Sequence, residues 1–292
     1  MDTLKLLLSE IQKLNATLER WAPSERPVPD FRRETAFRWI RGDQPGQGYL
    51  MPLPQKAGCR LADLKGIDRQ KKELELNTRQ FIEGHPANNA LLWGSRGTGK
   101  STLVKALLAE YREKGLRMIE VGRAHLIDLP EIQSLIRKRP EHFIVFCDDL
   151  AFESDDAGYK VLKATLEGTL SEQPENLLIY ATSNRRHLLP EFPEDNQSAR
   201  WIDGELHQGE AVEEKISLSE RFGVWLSFQA FNQDQYLEIV EHWLEHYGCA
   251  DDSDAARTEA LAYALLRGSR SGRVAFQFAK SWAGRKRLGT EN

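Results

Sequence analysis

The sequence predicts an α/β protein: a five-stranded parallel sheet with helices on both faces, followed by a small helical lid and preceded by a helical appendage. Three observations carry this prediction. Five short apolar runs, at residues 90–93, 116–121, 143–147, 177–182 and 224–228, alternate with helical stretches. Strands that are apolar on both sides and separated by helices belong to parallel sheets covered on both faces. The first run leads straight into Gly94-Ser95-Arg96-Gly97-Thr98-Gly99-Lys100-Ser101, and helical periodicity follows from Thr102. Beyond Asn232 only helical patterning remains.

Taken in order, Leu4, Leu7, Ile11, Leu14, Leu18 and Trp21 make an amphipathic helix over residues 4–21. It can dock on the protein's own body or on a partner helix. Pro23, Pro27 and Pro29 end it. Residues 31–41 interleave Phe31, Phe37 and Trp39 with four arginines. Such a mixture can stack on bases and bind phosphates. It can equally tuck its rings into the body while the arginines face water. A long helix is expected over 69–83, ending at Gly84, then the strand at 90–93 and the helix after the glycine-rich loop. Shorter helices follow at 132–139, stopped by Pro140, and at 159–170. The lid helices are expected at 234–246, 258–266 and 273–282.

Composition narrows the class. With 40 Lys+Arg against 44 Asp+Glu the net charge is −4, which excludes a global nucleic-acid signature. Charge is unevenly spread, however. Residues 267–287 hold seven basic residues and no acid, whereas 191–214 hold eight acids and one base, Arg200. These are either solvated faces or complementary contacts between subunits or with a partner. Cys59, Cys147 and Cys249 lack metal-ligand spacing, and an odd, sparse count suits a reducing compartment. No stretch approaches the ~18 apolar residues of a membrane helix. Leu6-Leu7-Leu8 is followed by residues too polar for a secretory signal. The expectation is a cytoplasmic protein without membrane insertion.

The glycine-rich loop is a complete P-loop in its required strand–loop–helix setting. Its glycines let backbone N–H groups face a β-phosphate, and the helix N-terminus adds positive character. Lys100 reaches the β- and γ-phosphates, and the Ser101 hydroxyl can ligate Mg²⁺. Gly94 through Thr102 are therefore the expected phosphate site of ATP. Asp148 and Asp149 end an apolar strand, where such sheets place ligand chemistry. Asp148 is the candidate Mg²⁺ ligand and Asp149 the candidate for activating water. Asn184 follows the next strand at its carboxyl end and can orient that water, contact the γ-phosphate or simply form a turn. Arg221, before the last strand, and Arg273, opening the last helix, are cations that a triphosphate can use. Each is equally an ordinary surface arginine on the chemistry alone.

The order P-loop, acid pair, strand-end Asn, Ser219-Glu220-Arg221-Phe222 and Gly272-Arg273 resembles the AAA+ ATPases. The likeness covers roughly residues 55–285. More narrowly, residues 146–150, 180–187 and 213–223 resemble a bacterial family of predicted AAA+ ATPases filed as a domain of unknown function. The resemblance implies Walker roles for the P-loop and acid pair, sensor roles for Asn184 and Arg273, and a finger role for Arg221. It also implies that Gly66 and Ile67 contact adenine. One departure stands out: the second acid, commonly Glu, is Asp149. A positioning error of ~1 Å can cost ~10²-fold in rate, so slow hydrolysis, or use of Glu153 instead, is a live alternative.

The expected organisation is an N-terminal helix and Arg/aromatic arm (1–55), a nucleotide-binding α/β domain (56–230) and a helical lid (231–292). The expected function is Mg²⁺-dependent ATP hydrolysis coupled to the conformation of a homo-oligomer or of an unidentified protein or nucleic-acid partner. The alternatives are an ATP-binding switch with little turnover and a nucleic-acid loader. A small-molecule kinase is disfavoured by the lid and by the lack of an acceptor-binding signature.

Overall fold

A computed structural model describes residues 7, 13, 29–44, 46–54, 58–152, 156–167, 174–186, 188, 200–202, 205–207, 218–249 and 253–289. The helix expected over 4–21 therefore lies outside the described residues except for Leu7 and Lys13, both helical. Glu153 lies outside them as well.

The main sheet is seven-stranded rather than five-stranded. Its order is β2 (Tyr49–Pro52), β1 (Ala36–Ile40), β4 (Leu116–Glu120), β5 (His142–Cys147), β6 (Leu177–Ser183), β3 (Ala90–Gly94) and β9 (Val224–Phe228). All neighbours are parallel except β1 and β2. The five expected strands lie side by side and parallel, from β4 to β9 at the edge; of the two additional ones, β2 comes from the stretch after the Arg/aromatic segment and β1 from that segment itself. There Phe37 and Trp39 are buried while Arg38 stays exposed, an alternation suited to a strand. Arg38 pairs with Glu120 on β4 at 2.9 Å, and the Trp39 Nε1–H donates to Asp128 at 3.0 Å. Burying two such rings is worth roughly 1.5–3 kcal/mol each, which explains why the segment joins the sheet.

The strands read as continuous apolar runs because both sheet faces are covered. On β5, Phe143, Val145 and Cys147 enter one core, and Ile144 and Phe146 enter the other. The first core includes α3 (Leu129–Ile136) and α4 (Ala157–Glu167). The second includes α1 (Asp68–Ile82), α2 (Lys100–Tyr111) and the lid helices. These are α5 (Gln233–His246), α6 (Ser253–Leu266) and α7 (Gly272–Arg287), the last two longer than their apolar patterning suggested. Helix α5 starts where Asn232 accepts from the Gln235 N–H at 2.9 Å while the Gln235 side chain accepts from the Asn232 N–H at 3.1 Å. Ser271 caps α7 by accepting from the Val274 N–H. A short separate hairpin, β7 (Arg200–Ile202) with β8 (Glu205–His207), lies within the acidic stretch. Among the described residues no helix is long and apolar enough to cross a membrane.

Register decides where chemistry gathers. Leu92 lies opposite Thr182, and Cys147 lies opposite Ala181. The C-terminal ends of β3, β5 and β6 thus meet at one edge, with the lid above them.

Candidate nucleotide site

The P-loop leaves β3 through Gly94, whose φ is 127°. A Cβ there would sit 2.0 Å from the Phe228 carbonyl oxygen, so only glycine lets the loop turn against β9. At Gly97 a Cβ would come within 2.8 Å of the Ser271 Oγ, so the loop also packs directly under the lid. Gly94→Ala is expected to lower unfolding free energy by about 3 kcal/mol or more in a denaturant titration. Gly84→Ala, at a positive φ with open space around it, should lose only about 1 kcal/mol. Equal effects would mean that contact with Phe228 does not constrain the loop.

Two hydrogen-bonded chains face each other at the base of the cleft. In the first, Lys100 Nζ donates to the carbonyls of Gly94 at 2.7 Å and Ser95 at 2.8 Å, and to Asn184 Oδ1 at 3.3 Å. Asn184 Nδ2 in turn donates to Asp149 Oδ1. In the second, Asp148 Oδ1 accepts from Ser101 Oγ at 2.5 Å and from Thr182 Oγ1 at 2.6 Å. The Asp149 backbone N–H donates to Thr182 Oγ1 at 2.9 Å, so one threonine positions both acids. Lys100 is 6% exposed. Burial pushes its ammonium below the ordinary lysine range, Asp149 and Asp148 oppose this, and Arg96 adds to it. Asp149 is the one non-glycine among the described residues with positive φ, at 52°.

The cleft above these chains has a volume of about 920 Å³. Arg273 reaches it from the start of α7, where its N–H donates to the Gly97 carbonyl at 3.4 Å. Leu64, Ile67, Phe231, Trp243 and Phe276 give it an apolar and aromatic wall, with Leu64 and Ile67 beside Gly99 of the loop. The Trp243 and Phe276 rings meet edge-on with centroids 4.9 Å apart. Beside them, the buried Asp63 accepts from Arg60 and lies 3.4 Å from His242 Nε2 on α5. Burial alone would raise its carboxyl, but the Arg60 hydrogen bonds and charge, aided by His242, hold it below the usual range.

Of the residues singled out in the sequence, Arg96, Gly97, Thr98, Gly99, Lys100, Ser101, Thr102, Asp148, Asp149, Asn184, Arg273 and Ile67 line this one cleft. Gly94 and Ser95 lie beneath it, holding Lys100 by their carbonyls. Gly66 stands behind the wall, at φ 72° against the Phe231 ring. Arg221 is placed elsewhere, in the turn before β9, paired with Glu167 at the end of α4. Thr182, Trp243 and Phe276 were not singled out. Thr182 stands near the end of β6 and Asn184 just beyond it, so the strand end itself is the signal that marks both.

The residues suit a magnesium nucleotide. The glycine cradle leaves no room for side chains over the loop, a buried lysine stands beneath it, and Ser101 with Asp148 offers the hard oxygen pair that Mg²⁺ prefers beside phosphate.

A family model described as "Protein of unknown function (DUF815)" matches residues 32–286. No curated protein matches the chain. Similar solved structures include the Orc1 protein of Aeropyrum pernix in complex with DNA. It is 14% identical over 82% of this chain and 67% of that one, with a TM-score of 0.51. The RuvB Holliday junction branch migration motor of Thermotoga maritima is 13% identical over 76% of this chain and 71% of that one, with a TM-score of 0.44.

Proposed function

Because the chain belongs to the DUF815 family and has the fold of the AAA+ P-loop ATPases, we propose that it is a Mg²⁺-dependent ATPase whose nucleotide state sets the conformation of a homo-oligomer or bound partner. The observation that carries this reading is the pair of facing hydrogen-bonded chains, Lys100–Asn184–Asp149 and Ser101–Asp148–Thr182, in one lidded cleft. Lys100 and the α2 N-terminus bind the phosphates. Ser101 and Asp148 hold the metal, which supplies charge neutralisation at the transferred phosphoryl group. Asp149 takes a proton from water, and Asn184 fixes the orientation of that carboxylate. Arg273 bridges the lid to its own subunit's nucleotide, so opening of the lid follows phosphate release. Arg221 serves a neighbouring subunit, because it stands in the turn before the edge strand rather than in its own cleft.

Asp148→Ala is expected to lose Mg²⁺-dependent affinity and turnover together, whereas Asp149→Asn keeps ATP binding and loses turnover by about 10²-fold or more. Calorimetry with and without Mg²⁺, alongside phosphate release, separates the two. Parent-rate hydrolysis by Asp149→Asn would move the proton-accepting role to another acid, Glu153 being next in the sequence.

A second reading is an ATP-binding switch with little turnover. It is favoured by the short reach of Asp149 and by the engagement of its Oδ1 with Asn184. Single-turnover hydrolysis distinguishes it. A loader acting on nucleic acid is a third reading, drawing on the basic run of 267–287 and on the Orc1 likeness.

A further inference from the structure

A second groove, of about 860 Å³, shares Arg96, Thr98 and Phe231 with the nucleotide cleft and is otherwise lined by different residues. It runs between the P-loop and the end of α6 with the turn that follows. Leu261 and Leu265 give it an apolar wall, Arg96 and Arg270 give it positive charge, and among the described residues no acid lines it. Leu265 and its neighbour Leu266 are 83% and 86% exposed, the highest values for large apolar residues among those described. Two bare leucines beside arginines form an apolar patch with a cationic rim, the composition of a docking surface.

The chain also carries a segment of opposite character. Residues 191–214 hold eight acids and one base. Within them the β7–β8 register sets Trp201 opposite Leu206 and Ile202 opposite Glu205. This hairpin is a sheet of its own, not joined to the seven-stranded one. An isolated two-stranded hairpin is marginal in water, so it gains most from an apolar surface that also accepts its acids. We infer that the groove receives residues 191–214 of a second copy of this chain.

The second copy, rather than the same one, follows from what the segment leads into. It runs on to Arg221, and the inference rests on the proposed reading that Arg221 reaches a neighbour's nucleotide. The 10 residues from 208 to 217, before the helical turn at 218–220, can span up to ~35 Å. A finger delivered to a neighbour's phosphates therefore brings the hairpin within reach of that neighbour's P-loop flank, where this groove lies. Arg96 borders both cavities.

The test uses the full chain with ATP and light scattering. Leu265→Asp with Arg270→Glu places two carboxylates in the groove, at sites exposed enough to leave the fold intact. The variant should fall to the mass of one chain, 33.4 kDa, while its ATP affinity stays within about twofold of the parent. Asp203→Lys with Glu205→Lys should do the same from the other side. Mixing Arg270→Glu protein with Glu205→Lys protein should then restore association about tenfold over either alone. An oligomeric parent with an unaffected groove variant, or no recovery in the mixture, overturns the docking and leaves the oligomer reading standing. A parent that is one chain at every concentration overturns both. Loss of duplex DNA binding with assembly intact would assign the groove to nucleic acid instead.

Discussion

Mixing Arg221→Ala protein with Lys100→Ala protein is expected to restore ATP hydrolysis that neither shows alone. Each variant lacks a different half of a composite site. Finger-deficient subunits retain the P-loop, and P-loop-deficient subunits retain the finger. The placement of Arg221 motivates the experiment: it sits before the edge strand, outside its own cleft, in an ion pair with Glu167. An arginine delivered to developing phosphoryl charge is worth ~10³–10⁵ in rate in favourable cases, so the contrast between separate and mixed proteins should be large. Parent hydrolysis per subunit should also rise with protein concentration. Phosphate release measured across mixing ratios, with assembly followed by light scattering, reads the effect. If the mixed assembly stays silent, Arg221 serves to tie the end of α4 to the turn before β9, and the trans reading fails.

Lys100→Ala should drop ATP affinity by about 10²-fold or more while moving the melting temperature by no more than about 3 °C. The first part follows from the position of Lys100 beneath the loop, where it is the buried cation nearest the phosphate cradle. The second follows from the direction of its pKa. Burial lowers it from the ordinary 10.5, so below the folded value both folded and unfolded states carry the proton and the full burial penalty stands. That penalty fades only as pH rises from the folded value towards 10.5. At neutral pH the substitution removes the penalty and also the hydrogen bonds to Gly94 and Ser95, two effects of opposite sign. Unchanged ATP affinity in calorimetry would sink the P-loop assignment.

The parallel core of the fold was legible because its strands, the edge strand β9 least, are buried on both faces and announce themselves as apolar runs. The outer pair was harder. Ala36-Phe37-Arg38-Trp39-Ile40 does alternate, but five residues flanked by prolines and glycines read as an arm until a partner is known. That partner, Met118–Glu120 on β4, is some 80 residues away in the chain, and no local pattern encodes the pairing. The phosphate end of the cleft was readable for the opposite reason: its residues lie in short contiguous motifs at strand ends. The aromatic end comes from residues scattered over the segment before α1 and over α5 and α7. Trp243 and His246 lie near the end of α5 and Tyr247 caps it, yet only the lid's packing shows that they line a cavity. Arg221 carried a clear motif, but no motif reports the Glu167 beside it.

The left-handed backbone of Asp149 bears on why that position holds the shorter acid. Aspartate and asparagine are the side-chain residues that most readily tolerate this conformation, because their short polar groups can bond locally. Glutamate has the extra reach but not that tolerance, and a left-handed residue strains the chain by roughly 1–2 kcal/mol. The chain turns at Asp149, two residues past the end of β5 and at the residue proposed to present its carboxylate, so the geometry of the turn and the length of the acid cannot be optimised independently. A longer arm at this corner would trade backbone ease for reach. Under the proposed ATPase reading, tempo depends on a single dihedral angle as much as on the identity of a side chain.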